Sequence, residues 1–99
     1  MLIYEYVPSV ETVAGYWVGN TEKVSGALCK QVYVKSTTAS TVFDVILYDS
    51  HNVAIRKFTD QTGSVNDLTE VPVRGIITVE IDNATRDEGF TVKLCFVEK

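Results

Sequence analysis

The stretch TVFDVILYDSHNVAIRKF, residues 41–58, carries the clearest pattern of secondary structure in the sequence. Its apolar side chains Phe43, Val45 and Leu47 recur at every second position, which is the period of a β-strand and not of a helix. The turn-forming run DSHN follows at residues 49–52, and a second β-branched run begins at Val53. The stretch therefore predicts two antiparallel strands joined by a tight hairpin.

Runs of the same kind recur along the chain, and no window carries the helical spacing of apolar residues for long. Together with the hairpin they make about eight short strands at regular spacing. This pattern predicts an all-β fold, a single antiparallel β-sandwich of jelly-roll or immunoglobulin-like type, with a small barrel as the alternative. The further runs are LIYEYV (2–7), TVAGYWV (12–18), LCKQVYVKS (28–36), LTEVPV (68–73), GIITVEI (75–81) and FTVKLCFVE (90–98).

Chain length limits the fold to one core. A chain of 99 residues buries roughly two thirds of the surface that its unfolded form exposes. Its 45% hydrophobic and 22% charged residues are the usual composition of a globular protein. We expect one β-sandwich domain over residues 1–99, in which residues 1–20 are either an N-terminal arm or an edge strand.

Alternation also predicts which side chains are buried. In each strand the apolar residues two positions apart share one face, and that face should form the core. The predicted core residues are Phe90, Val92, Leu94 and Phe96 of the last strand, Phe43, Val45 and Leu47 of the hairpin, and Ile77, Val79 and Ile81 of the strand between them.

The opposite faces of these strands are not purely polar. Apolar side chains there would be left in contact with water, and contiguous patches of that kind often mark an interface. Aromatic residues also crowd the first half of the chain, as half-buried strand residues, as contacts for a partner or as platforms that stack a sugar. The candidate interface residues are Tyr4, Tyr6, Tyr16, Trp17, Ile46, Tyr48, Ile76 and Val97.

The stretch EIDNATRDEGF, residues 80–90, is the densest group of polar side chains in a predicted loop. It lacks the ligand order of an EF-hand, and Asp87 and Glu88 are too close in sequence to face each other across a cleft. The motif Asn83-Ala84-Thr85 fits N-glycosylation but has no secretory context. We expect a turn with solvated charges that keep an edge soluble. No catalytic, metal or cofactor site is predicted.

Charge, hydropathy and cysteine spacing argue against nucleic acid, a membrane and zinc as binding partners. The net charge is −4 with scattered basic residues, whereas binding to nucleic acid requires clustered positive charge. No segment has the length and apolarity of a membrane span or a signal peptide. Cys29, Cys95 and His51 match no zinc spacing. We expect free thiols and synthesis in the cytoplasm.

The run DVILYD at residues 44–49 precedes Pro72, Gly75 and the run TVEIDNA at residues 78–84, before a final hairpin. This order resembles the small β-sandwich structural proteins of tailed bacteriophage particles, over a little more than half of the chain. The resemblance implies a non-enzymatic protein of the virion, which would bind the major capsid protein or another virion protein.

Within that resemblance, a capsid decoration (cement) protein is the leading hypothesis. A symmetric homo-oligomer, with a trimer favoured, would add contacts across capsomer boundaries and gain avidity from them. A head-to-tail or tail structural protein is the alternative in the same class. A carbohydrate-binding β-sandwich module is the alternative from another class, because of the tyrosines and Trp17 on strands.

Overall fold

The computed structural model describes residues 2–98, and these residues form ten β-strands and no helix. The strands are β1 (Leu2–Tyr6), β2 (Ser9–Glu11), β3 (Trp17–Asn20), β4 (Val24–Ser36), β5 (Val42–Tyr48), β6 (Ala54–Thr62), β7 (Ser64–Asp67), β8 (Val71–Gly75), β9 (Thr78–Asp82) and β10 (Gly89–Glu98).

The strands build two antiparallel sheets that pack against each other. In sheet 1, β10 and β4 are central, β1 and β2 pair in succession with the free edge of β10, and β7 and β8 pair with the free edge of β4. In sheet 2 the order is β3-β9-β5-β6. The all-β sandwich that the sequence predicts is therefore confirmed.

The strands pair in a nested order, in which strands near the start of the chain pair with strands near its end. The first strands pair with the last one, β3 pairs with β9, β4 pairs with β7 and β8, and β5 pairs with β6. The chain thus folds as one long antiparallel hairpin whose tip is the β5–β6 turn, and this hairpin is rolled into two sheets. Such a winding is the jelly-roll topology.

The core lies between the sheets and contains the predicted faces. Phe43, Val45 and Leu47 of β5 are fully buried, and Phe43 meets Phe90 edge to face with ring centroids 5.1 Å apart. The other predicted core residues, on β9 and β10 and at Ile77 just before β9, are at most 5% exposed. Alternation therefore identified the core correctly wherever a strand runs without a bulge.

Two parts of the predicted strand pattern were wrong. Residues 12–16 do not extend β3, because Ala14 and Gly15 both have positive φ, at 53° and 74°, and reverse the chain between Val13 and Tyr16. Successive positive φ values are typical of two-residue hairpin turns. The short strands β2 and β7 were missed, since Pro8 separates β2 from β1 and β7 has a polar sequence.

The gap between β6 of sheet 2 and β7 of sheet 1 is closed by a polar contact. Arg56 donates to the Asp67 carboxylate at 2.6 Å, and its guanidinium lies over the ring of Phe58, 5.3 Å from the ring centroid. The ion pair and the ring cover the core at this edge of the sandwich.

Candidate interaction surface

Four apolar side chains lie in register across the outer face of sheet 1. Leu2 pairs with Val97, Val97 with Leu28, and Leu28 with Pro72, so the set crosses β1, β10, β4 and β8. Neighbours in these strands, such as Phe96 and Cys29, are buried on the opposite side of the sheet. Leu2 is 55% exposed. We call Leu2, Val97, Leu28 and Pro72 the apolar row.

Sequence reasoning found Val97 but missed the other three members of the apolar row. Leu28 was missed because a β-bulge separates it from the regular part of β4: Gln31 pairs with Cys95 while Cys29 pairs with Phe96, which leaves Lys30 as the extra residue. Period two counted back from Val34 would put Leu28 in the core. No residue in the run predicts the bulge.

The outer face of sheet 2 combines apolar and acidic side chains. Val18, Glu80 and Ile46 lie side by side in register on β3, β9 and β5, and Tyr48 lies in the next row beside Thr78. Tyr16, at 41% exposure, donates its hydroxyl to Glu80 at 3.4 Å. Tyr16, Ile46 and Tyr48 therefore share one face, separated by both sheets from Val97.

Three of the candidate interface residues do not lie on an outer face but are partly buried against the core: Tyr4, Tyr6 and Trp17. Tyr4 stacks on Phe96 with centroids 5.5 Å apart, and its hydroxyl accepts the Glu22 N–H at 3.2 Å. The ring of Trp17 and the hydroxyl of Tyr6 occupy the space beside Gly19, where a Cβ would lie 2.5 Å from that hydroxyl and 2.6 Å from that ring. These aromatic side chains fill the gap between β1 and β3.

Ile76 lies at one end of the sandwich, where the loops after β3, β5 and β8 enclose two neighbouring clefts. The larger cleft has a volume of about 600 Å³ and is lined by Ile76, Lys23 and Arg74 among others. The smaller, of about 300 Å³, is lined by Pro72 and His51 and shares Arg74 with the first. The apolar row thus ends beside these clefts.

The loop at residues 83–88 holds the opposite end of the sandwich together through hydrogen bonds that its sequence did not predict, while Asp87 is exposed as expected. Asp87 accepts the backbone N–H groups of Ala14 and Gly15 at 3.0 and 2.7 Å. Glu88 accepts the hydroxyls of Thr37, Thr38 and Thr41 at 2.9, 2.7 and 2.6 Å. These partners are 47–73 residues away in sequence, so the run itself does not reveal these hydrogen bonds.

The contacts of the threonine hydroxyls with Glu88 predict that the stability of the protein depends on acidic pH. Hydrogen bonds from Thr41 and then Thr38 lower the pKa of Glu88 below its ordinary value of 4.5. A carboxyl whose pKa is lowered by folding contributes stability above its unfolded value, and this stability is lost as pH falls through the folded value. We therefore expect the midpoint of thermal unfolding to fall below about pH 4.5.

The variant Glu88→Gln isolates this contribution. We expect it to melt at a lower temperature than the wild type at pH 7, and to lose less stability between pH 7 and pH 3. Thermal unfolding followed by circular dichroism measures both, with Glu70→Gln on an exposed loop as the matched control. A Glu88→Gln protein with the pH dependence of the wild type would show that the three threonine contacts do not stabilise the fold.

The two cysteines lie on opposite sides of sheet 1, and both are free thiols. Burial raises the pKa of Cys29 to about 11, so its thiol remains protonated and unreactive at neutral pH. Cys95 lies on the outer face, where its thiol contacts Glu5 and Gln31 at 3.6 and 3.5 Å.

No protein-family model matches this chain, and a search among curated proteins finds no match. Between residues 2 and 98 no group of three or more His, Cys, Asp or Glu side chains is placed to hold a metal ion. No helix in that range could span a membrane.

Proposed function

We propose that this chain is a non-enzymatic structural protein of a tailed-bacteriophage particle, a capsid decoration protein that binds and stabilises the assembled shell. The observation that carries the proposal is the apolar row, which places an uncharged apolar strip across four strands on the outside of sheet 1. The order of motifs in residues 44–84, which resembles small virion proteins, supports the same conclusion.

The row is long enough to form the apolar centre of a larger contact between proteins. Adjacent strands lie about 4.8 Å apart, so a row over four strands is about 15 Å long. A β-sheet face is flat and rigid, and its side chains lose little conformational freedom when a partner covers them. The row suits a complementary apolar ridge on the major capsid protein.

Stabilisation of the shell would follow from linkage. A protein that binds the assembled lattice and not its separated subunits shifts the equilibrium towards the lattice by mass action. Several copies joined in a symmetric oligomer, with a trimer favoured, would bind a three-fold position with avidity even if each contact were weak. The proposed location is accordingly the virion, after synthesis in the host cytoplasm.

The test uses capsids of the parent phage stripped of this protein. We expect re-addition of the wild-type chain to restore the melting temperature of the stripped capsids. Leu28→Lys places a charge in the centre of the apolar row and should weaken capsid binding by at least about tenfold, the effect of an unpaired desolvated charge. Binding is measured by co-sedimentation with the capsids.

The matched control is Ser9→Lys, which adds the same charge on the outer face of sheet 1 at an exposed position of β2 outside the row. It should bind capsids as the wild type does, and both variants should keep the unfolding midpoint of the free protein within a few degrees. Capsid melting that does not respond to the wild-type chain, or equal losses in the two variants, would contradict the proposal.

A further inference from the structure

The larger cleft, at the end of the sandwich that carries Ile76, is lined by two cationic side chains. Lys23 and Arg74 both border the cleft, and within residues 2–98 neither belongs to a salt bridge. Lysine and arginine side chains carry only hydrogen-bond donors. Two such groups beside one concave space favour a ligand that carries acceptors and negative charge.

Two acceptor atoms beside the cleft are occupied by hydrogen bonds within the protein. Oδ1 of Asp49 accepts the backbone N–H groups of His51 and Val53 at 2.9 and 3.0 Å. Oδ1 of Asn20 accepts the hydroxyl of Thr78 at 2.7 Å, which leaves the Asn20 amide NH₂ group to donate. The Lys23 ammonium, the Arg74 guanidinium and the Asn20 amide can therefore donate to a ligand in the cleft.

The charge of the lining selects among anions. Lys23 and Arg74 carry two positive charges and Asp49 carries one negative charge, so the formal sum is +1 in a chain whose net charge is −4. The hydrogen bond from Val53 N–H is the largest cause that lowers the pKa of Asp49, which keeps its carboxylate ionised at neutral pH. One carboxylate would neutralise the lining, whereas a phosphate dianion would leave surplus negative charge next to Asp49.

The shape of the cleft adds an apolar wall to this donor set. Ile76 is 46% exposed, and its side chain lines the cleft. Gly75 precedes it with φ of 83°, and a Cβ there would lie 2.9 Å from Ser50, so the β5–β6 turn packs directly on the chain at this point. This close contact fixes the position of Arg74 and Ile76 relative to the turn.

We infer that this cleft is a binding site for a carboxylate group attached to a short apolar segment, with the carboxylate between Lys23 and Arg74 and the apolar segment on Ile76. The site goes beyond the proposed function, because it requires neither a capsid nor the apolar row. Its ligand is either a free branched-chain carboxylic acid or an acidic side chain flanked by apolar residues in another protein, and the two share the same chemistry.

The test is a titration of the full ¹⁵N-labelled chain followed by NMR. The probes are 3-methylbutanoate, the peptide acetyl-Leu-Asp-Leu-amide, the same peptide with Asn in place of Asp, and inorganic phosphate. We expect saturable shifts of the Asn20, Ser50 and Gly75 amide signals with the first two probes. Arg74→Gln should weaken both at least about fivefold and Lys23→Gln by about threefold, as expected for charge-assisted bonds at a partly exposed site.

The control is Lys35→Gln, which removes an exposed lysine on the outer face of sheet 1 and should leave both affinities unchanged. Tighter binding of the Asp peptide than of 3-methylbutanoate would identify a protein as the source of the carboxylate, and the reverse would identify a free acid. Absence of saturable shifts, equal binding of the Asp and Asn peptides, or tighter binding of phosphate than of either carboxylate would overturn the inference.

Discussion

Replacing Phe96 by alanine is expected to lower the free energy of unfolding by about 3–5 kcal/mol, the usual cost of deleting a buried aromatic ring. Phe96 is fully buried on β10, and Tyr4 stacks on it at 5.5 Å, so the variant would lose the ring contact that joins β1 to the core. A domain of this size is stable by only about 5–15 kcal/mol, so this is a large fraction of its stability. Equilibrium unfolding in urea measures the change.

The neighbouring residue supplies the control. Val97 follows Phe96 on the same strand but points to the outer face of sheet 1, where it belongs to the apolar row. We expect Val97→Ala to cost less than about 1 kcal/mol, since its side chain is already partly in water. Comparable losses in the two variants would mean that the period-two assignment of the faces of β10 is incorrect.

The same contrast shows how far the sequence could predict the fold. Strands β5, β9 and β10 alternate without interruption in the stretches that carry Phe43, Val79 and Leu94, and there the buried face was predicted correctly. Alternation is a local property, because each side chain is assigned by its immediate neighbours. The strand order is not local, so the jelly roll could not be distinguished from an immunoglobulin-like sandwich.

Some features of the surface depend on strand register and on contacts between distant loops, and these could not be predicted from the sequence. The bulge at Lys30 moves Leu28 to the outer face, and nothing in the run LCKQVYVKS indicates it. The hydrogen bonds of Glu88 could not be predicted because its partners, such as Thr41, lie in a distant loop. Lys23 and Arg74 meet at one cleft only because the rolled hairpin brings the loop after β3 and the end of β8 together.

The two ends of the sandwich consequently differ in character. At one end Asp87 and Glu88 tie three loops together with hydrogen bonds of 2.6–3.0 Å, and polar groups there are used within the fold. At the other end the loops enclose clefts with unused donors on Lys23 and Arg74. Hydrogen bonds between the loops at the first end make that end rigid. Polar groups without a partner in a concave site, as at the second end, can bind a ligand.

Gly63 tests how rigid the hydrogen-bonded end is. It joins β6 to β7 with φ of 76°, its N–H donates to Thr41 at 2.8 Å, and its carbonyl accepts the N–H of Ser36 at 2.9 Å. A Cβ at this position would lie 2.7 Å from the carbonyl oxygen of Ala39, which is backbone and cannot rotate away. We expect Gly63→Ala to destabilise the protein by about 2–4 kcal/mol, from left-handed backbone strain and from displacement of the loop that contains Ala39.

Gly26→Ala separates these two causes. Gly26 has a similar φ of 67°, but the nearest atom to a Cβ there is on the flexible side chain of Arg74, 3.6 Å away. This variant should therefore lose only the strain, about 1–2 kcal/mol, in the same urea titration. Gly63→Ala should exceed it by at least about 1 kcal/mol, because its neighbours are held by Thr41 and Ser36. Equal losses would show that the loop around Ala39 yields freely and that hydrogen bonding at this end does not make it rigid.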